Sequence, residues 1–216
     1  MGKIRIVPAI LTDDSVALKT MAYMIKDVAD WVQVDIMDGE FVPSHSINWQ
    51  EVKATQMPFE WEAHLMVMEP GDFISGFKSA GAQRIIFHFE ATHDPTGVIT
   101  AAREQGVGIG MAINPETTVT QVAGLLPLLD SVLLLSVHPG FYGAEYIPEV
   151  LDKVGQLRTL VPDISISIDG GIKEDNILEV AASGVNDICV GSGIFRADDP
   201  AAAYLKFQGI LDAASL

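Results

Sequence analysis

The sequence predicts an α/β fold, a (β/α)8 TIM barrel built as a single domain over residues 1–216. Three observations carry the prediction. Apolar runs of strand length alternate with helix-like stretches eight times along the chain, and such alternation implies a parallel sheet. The 216 residues fall slightly short of the ~250 typical of such barrels, which leaves room for few insertions. Two of the runs end in an acidic residue with glycine close behind, Val34-Asp35-Ile36-Met37-Asp38-Gly39 and Ile166-Ser167-Ile168-Asp169-Gly170-Gly171, and the chemistry of a barrel sits where its strands end. The alternative is an open doubly wound sheet. That fold would show a glycine-rich loop after the first strand, whereas Leu11-Thr12-Asp13-Asp14 reads as a helix cap.

The strands are expected at 4–11, 31–37, 60–67, 84–89, 108–113, 131–137, 164–169 and 187–190. Each is short, rich in Val, Ile, Leu or Phe, and bounded by turn residues. Helical patterns fill the intervals at 15–28, 70–80, 95–105, 118–126, 147–160, 174–183 and 199–213. Gly81, Gly106 and Gly184 follow three of them, where a left-handed residue commonly ends a helix. No linker, second domain or low-complexity tract interrupts the pattern.

Composition narrows the function. Apolar residues make up 49% and charged residues 19% of the chain, in keeping with strands buried on both faces. No apolar run reaches the ~18 residues of a membrane span. Met1-Gly2-Lys3-Ile4-Arg5 leads directly into a strand and shows no secretory pattern. Cys189 is the single cysteine, so no internal disulfide forms. A cytoplasmic enzyme is expected. The net charge of −16 argues against nucleic acid and anionic membranes as partners. A small anionic substrate remains compatible, because backbone N–H groups bind phosphate inside an acidic protein.

Alternation along the strands sorts the candidate site residues. Gln33, Asp35 and Met37 share one face of the second strand, opposite the aliphatic Val32, Val34 and Ile36. Ser165, Ser167 and Asp169 oppose Ile164, Ile166 and Ile168 in the seventh. Glu62, His64 and Met66 form the equivalent set in the third. The aliphatic faces should meet helices, so Gln33, Asp35, His64 and Asp169 should converge inside the barrel mouth. A lone strand-end aspartate is more often a helix cap, and a lone inward histidine more often a core residue. Two aspartates with an inward histidine shift the balance toward a site. Their oxygen and nitrogen donors suit a divalent metal. Met37 and Met66 flank the cluster as core filler or as an apolar wall over it. His88 and Glu90, at the end of the fourth strand, read as supporting or capping residues.

Glycine-bearing loops follow the last three strands: His138-Pro139-Gly140-Phe141-Tyr142-Gly143, Gly170-Gly171 and Gly191-Ser192-Gly193. Loops after strands seven and eight commonly hold phosphate in barrels. Glycine lets the backbone approach its oxygens closely.

Taken together, these motifs resemble the ribulose-phosphate 3-epimerase family over essentially the whole chain. Pro8-Ala9-Ile10-Leu11 is similar to the family's Pro-Ser-Ile-Leu, and Val34-Asp35-Ile36-Met37-Asp38-Gly39 with Phe41-Val42-Pro43 matches its most specific signature. Ala63-His64-Leu65-Met66-Val67, Val137-His138-Pro139-Gly140-Phe141, Asp169-Gly170-Gly171-Ile172 and Gly191-Ser192 resemble its later motifs. The resemblance implies interconversion of D-ribulose 5-phosphate and D-xylulose 5-phosphate. One aspartate would remove the C3 proton to give a metal-stabilised 2,3-enediolate, and the other would return a proton to the opposite face. By similarity Asp35 and Asp169 are that pair. Both would ligate one divalent ion (Zn, Fe, Mn or Co) with His64 and with Gln33, which stands where the family usually has histidine. His64, Gly140, Phe141, Tyr142, Gly143, Gly170, Gly171, Gly191 and Ser192 would hold substrate and phosphate. Family members assemble as homo-oligomers, and the same is expected here.

Several residues depart from the family pattern. Ala9 replaces a serine, Leu135 a methionine, His138 an asparagine, Tyr142 a glycine and Ala144 a glutamine. An amide oxygen is a poorer ligand for zinc than imidazole. Three other readings stand beside the first. A hexulose-phosphate (allulose 6-phosphate) 3-epimerase differs only in pocket volume. A decarboxylase or aldolase of the same superfamily would resemble Asp-x-Lys-x-x-Asp on the second strand, where this chain has Met37 and no lysine. A non-catalytic phosphosugar-binding homologue is motivated by Gln33 and Ala9.

Overall fold

A computed structural model describes residues 4–139 and 145–214. Eight parallel strands close into a barrel in the order β1-β2-β3-β4-β5-β6-β7-β8. They run Arg5–Ile10 (β1), Trp31–Met37 (β2), Glu60–Met66 (β3), Arg84–His88 (β4), Gly108–Ile113 (β5), Ser131–Leu135 (β6), Ser165–Asp169 (β7) and Asp187–Val190 (β8). The expected strands are all present, three with the expected bounds and five with ends trimmed by one or two residues. Helices α1 (Ser15–Ile25), α2 (Trp49–Thr55), α3 (Ile74–Ser79), α4 (Pro95–Glu104), α5 (Val119–Val122), α6 (Asp152–Leu160), α7 (Ile177–Ala182), α8 (Ser192–Phe195) and α9 (Pro200–Ala214) surround it. Among the described residues no helix is long and apolar enough to cross a membrane.

Local chemistry explains the helix ends. Asp14 caps α1 by accepting from the Val16 N–H at 2.7 Å, and Leu18, Ala22 and Ile25 form its buried stripe at helical spacing. Asp94 accepts from the Gly97 N–H at 2.9 Å, with Pro95 opening α4. Two stretches expected as single helices open on 3-10 turns, Pro70–Phe73 before α3 and Pro148–Leu151 before α6, and a third 3-10 turn, Leu126–Leu128, follows α5 at the end of the stretch expected at 118–126. Each carries proline at its first or second position, where the missing N–H is tolerated. Helix α7 starts late because Asn176 ties the preceding turn, accepting from the Lys173 N–H and donating to the Gly171 carbonyl. The sequence reading omitted α2 and α8, both short. Helix α2 is marked by a capping box, Asn48 with Glu51.

Strand register divides the core in two. Val32, Val34, Ile36, Ile166 and Ile168 belong to the large layer between sheet and helices. Val7, Ala9, Ile86, Ala112, Leu133, Leu135, Val137 and Cys189 pack in the lumen. The inward parity expected for β2, β3 and β7 is therefore the observed one.

The N-terminal end of the lumen is closed by charge. Arg5 donates to both oxygens of Asp187 at 3.0 and 2.9 Å. Arg84 lies 2.6 Å from Glu62 and 3.6 Å from Asp187. Both guanidinium groups lie over the Trp31 ring, at 4.9 and 5.3 Å from its centroid, a favourable cation–π placement. Burial raises the pKa of Glu62, and the charge and hydrogen bond of Arg84 oppose that rise. Removing one partner of a buried pair leaves an uncompensated charge. Arg84→Ala should therefore lower the unfolding free energy by about 3–5 kcal/mol, read by urea denaturation. A loss under about 1 kcal/mol, the scale of an exposed pair, would show that the network does not stabilise the barrel.

Candidate active site

The opposite, C-terminal end of the lumen opens into a cleft. Asp35, His64 and Asp169 form its floor, Met37 and Met66 line one side, and Gly170, Gly171, Gly191 and Ser192 line its rim. Register explains the convergence. Asp35 on β2 pairs directly with His64 on β3, while Asp169 closes the last turn of β7 beside Cys189 of β8. All these side chains point inward.

His64 Nδ1 lies 2.9 Å from Asp35 Oδ1 and 3.8 Å from Asp169 Oδ2. Gln33, one inward layer below, donates from Nε2 to Asp35 Oδ1 at 3.0 Å and to Asp169 Oδ2 at 2.7 Å. Its Oε1 accepts from the Cys189 thiol at 3.3 Å. The amide thus turns its N–H groups, not its oxygen, toward the two carboxylates. The opposite orientation would set three acceptor oxygens against one another with no intervening proton.

The potential ligand atoms of Asp35, His64 and Asp169 lie within 4.8 Å of one another. Two carboxylate oxygens and an imidazole nitrogen form a donor set able to hold a divalent ion, and the buried convergence of two carboxylates favours a cation among them. The residues fit the metal that the sequence suggests.

Electrostatics follow from crowding. Burial, then the charge of Asp35, pushes the Asp169 pKa up to about 7, against the opposing effects of His64 and Gln33. Burial pulls the His64 pKa down, but the hydrogen bond and charge of Asp35 and the charge of Asp169 outweigh it, so the net shift is upward. Burial, reinforced by nearby His64, lowers His88 to about 4 despite Glu90. Burial and then Asp169 raise the Cys189 thiol well above its usual range.

The rim glycines are sterically required. Gly170 and Gly171 have φ of 113° and 67°. A Cβ would come 2.5 Å from Val137 Cγ2 at Gly170, and 2.9 Å from Tyr146 Cβ at Gly171. Gly191 and Ser192 sit where β8 passes into α8. Gly140, Phe141, Tyr142, Gly143 and Ala144 lie outside the described residues. His138, just before them, is exposed and 3.2 Å from Glu116. Met37 and Met66 pack with Val42, Leu11 and Phe41 into a small apolar cluster over the mouth.

Two contacts go beyond the sequence reading. His88 reaches His64, their Nε2 atoms 2.9 Å apart, although the sequence marked it only as a supporting residue. Cys189 holds the Gln33 amide; the inward parity of Asp187 and Cys189 on β8 was the available signal.

Comparison with solved structures places the fold among (β/α)8 barrels. A 3-hexulose-6-phosphate synthase superposes with a TM-score of 0.74 at 20% identity, covering 96% of this chain and 99% of that one. The KGPDC of Streptococcus mutans, in complex with D-R5P, superposes at 0.75 with 14% identity, covering 97% and 98%. At these identities the likeness concerns the fold alone. The family is given by sequence: residues 5–195 match the model of the Ribulose-phosphate 3 epimerase family, and the chain belongs to that family. It is 39% identical to the ribulose-phosphate 3-epimerase of Mycobacterium tuberculosis over 98% of this chain and 94% of the relative. It is 35% identical to that of Schizosaccharomyces pombe over 93% and 90%, and 34% identical to a cytoplasmic isoform from Oryza sativa subsp. japonica over 91% and 89%. The chain is accordingly an epimerase, an isomerase of carbohydrate metabolism.

The raised Asp169 fixes the sign of a stability effect. Its folded pKa of about 7 exceeds the unfolded value near 3.8, so between those values the folded state binds more protons. Stability from this group is present below pH 3.8 and is lost as pH rises through about 7. Metal-free protein should thus lose stability across that window relative to Asp169→Asn, in chemical denaturation at a series of pH values. Parallel profiles for the two proteins would show that Asp169 is not destabilised when ionised.

Proposed function

We propose that this protein interconverts D-ribulose 5-phosphate and D-xylulose 5-phosphate by proton transfer at C3, with Asp35 and Asp169 as the two bases. The observation that supports this most is the meeting of the two carboxylates, from β2 and β7, around one Gln33 amide nitrogen at 3.0 and 2.7 Å. Inversion at a carbon through a planar enediolate needs an acid and a base on opposite faces. In one direction Asp35 takes the C3 proton while Asp169 gives one to the other face. In the reverse direction the roles exchange.

Asp35, His64 and Asp169 would hold the divalent ion, which supplies positive charge beside the developing enediolate oxygens. Gln33 steadies both aspartates through its N–H groups. Met37 and Met66 exclude water and keep the field of the charged groups strong. The backbone N–H groups around Gly170, Gly171, Gly191 and Ser192 are the candidates for gripping the phosphate, with Gly140 to Gly143, in the sequence after β6, as further candidates.

The test is incubation with D-ribulose 5-phosphate in D₂O, followed at C3 by NMR. Xylulose 5-phosphate carrying deuterium at C3 is expected, and Asp169→Asn should reduce the rate by at least ~100-fold, the scale of a lost acid or base, while leaving the fold intact. Wild-type rates from that variant would remove Asp169 from the mechanism. No reaction with the pentulose phosphate but exchange with a hexulose 6-phosphate would reassign the substrate. The metal assignment has its own check. Gln33→His replaces an amide by a better zinc donor and should raise zinc affinity at least ~10-fold by chelator competition, a change of about 1.4 kcal/mol. Equal affinity would show that a side chain at position 33 does not reach the ion.

A further inference from the structure

Behind His64, on the side away from the aspartates, its Nε2 faces Nε2 of His88 at 2.9 Å. At that distance one nitrogen must carry the proton and the other must present a lone pair. The second nitrogen of His88, Nδ1, lies 3.4 Å from Glu90 Oε2. Both of these atoms are buried, and neither has a hydrogen-bond partner in good geometry. Each therefore finds its partner in the other through a small closure of that gap. A carboxylate can only accept, so the proton of His88 belongs on Nδ1.

Glu90 is anchored from its other side. Its Oε1 accepts from the Asn114 N–H at 2.9 Å and from the Thr117 hydroxyl. The Asn114 carbonyl in turn accepts from Lys153 Nζ at 2.8 Å. With His88 protonated on Nδ1, its bare Nε2 accepts from His64 Nε2–H. The remaining His64 nitrogen, Nδ1, is the one that faces Asp35 and Asp169.

We propose that Glu90 and His88 are positioning residues, a two-member relay that fixes the tautomer of His64 so that Nδ1 is presented as a ligand to the ion between the aspartates. This rests on the metal reading above. A ligating imidazole donates its second N–H to a partner that fixes its tautomer and orientation. Here the partner is another imidazole, which needs a carboxylate of its own to set its direction.

Glu90→Gln separates positioning from packing, because the shape is kept and the polarity of one atom is reversed. The Asn114 N–H holds the amide oxygen in place of Oε1, so the NH₂ faces His88 Nδ1. His88 must then accept at Nδ1 and carry its proton on Nε2. His64 would then have a bare Nε2 and its one proton on Nδ1, whereas with Nε2–H donated to His88 it can release the Nδ1 proton to bind metal and remain a neutral imidazole.

The experiment is ¹⁵N NMR of the imidazoles with zinc titration by chelator competition, with circular dichroism to verify folding. In Glu90→Gln the His88 Nδ1 signal should move from the protonated to the unprotonated range, and zinc affinity should fall ~10–100-fold, the scale of lost outer contacts at metal sites. His88→Phe, which keeps the ring packing against Phe41 but offers no acceptor, should lose affinity similarly, and His88→Gln, whose carbonyl can accept, should recover part of it. An unmoved His88 signal in folded Glu90→Gln, or zinc affinity within about twofold of the unsubstituted protein, would overturn the relay. Failure of the unsubstituted protein to bind zinc would overturn the metal reading instead, and the ring signals, which need no metal, would still decide the relay.

Discussion

Two aspartate side chains are driven together in the lumen of a barrel, and much of the site can be understood as accommodation of that repulsion. Like charges at such separation cannot both ionise without help. Gln33 supplies two N–H donors to the pair, and His64 supplies a third group beside Asp35. In the metal-free site burial, and after it the charge of Asp35, still raises the Asp169 pKa against these contacts.

Accommodation extends through the lumen. Below the aspartates lie the Gln33 amide, the Cys189 thiol and aliphatic side chains, which keep water and competing charges from the site. Only at the far end do charges return, as the Arg5, Asp187, Arg84 and Glu62 network. There each carboxylate has a guanidinium within salt-bridge distance. The two ends thus treat buried charge differently. The N-terminal end pairs acids with permanent cations and is stabilising. The C-terminal end gathers acids around a place for an exchangeable cation or proton, and so is reactive. This division matches the separation of stability and chemistry between the two faces of such barrels.

Strand parity made most of this legible in the sequence. The aliphatic runs Val32-Val34-Ile36 and Ile164-Ile166-Ile168 can only face helices, which sends Gln33, Asp35 and Asp169 inward. Helix boundaries were less legible, because Pro70, Pro127 and Pro148 tighten turns that the apolar pattern reads as continuous helix. Contacts between side chains on different strands were the least legible. The expectation that Gln33 serves as a metal ligand treats the amide as an oxygen donor, and its direction depends on the Cys189 thiol more than 150 positions away. The pairing of His88 with His64 depends likewise on the ends of β3 and β4 lying side by side at a particular height, which composition alone does not specify.

The departure at Gln33 bears on how this site balances metal and proton. An imidazole in that place would add a fourth strong donor to the ion and nothing to bare carboxylates unless it carried a proton. A neutral amide with its oxygen held by Cys189 supports the carboxylates directly, whether or not an ion is present. The same geometry would then keep Asp35 and Asp169 in place between turnovers or at low metal, at the expense of ligand strength. Ala9 contributes in the same direction: it lines the cleft beside Cys189 without a hydroxyl, so nothing there competes for the Gln33 amide. Together these residues form a site in which hydrogen bonds take over part of the positioning that a fourth metal ligand would supply.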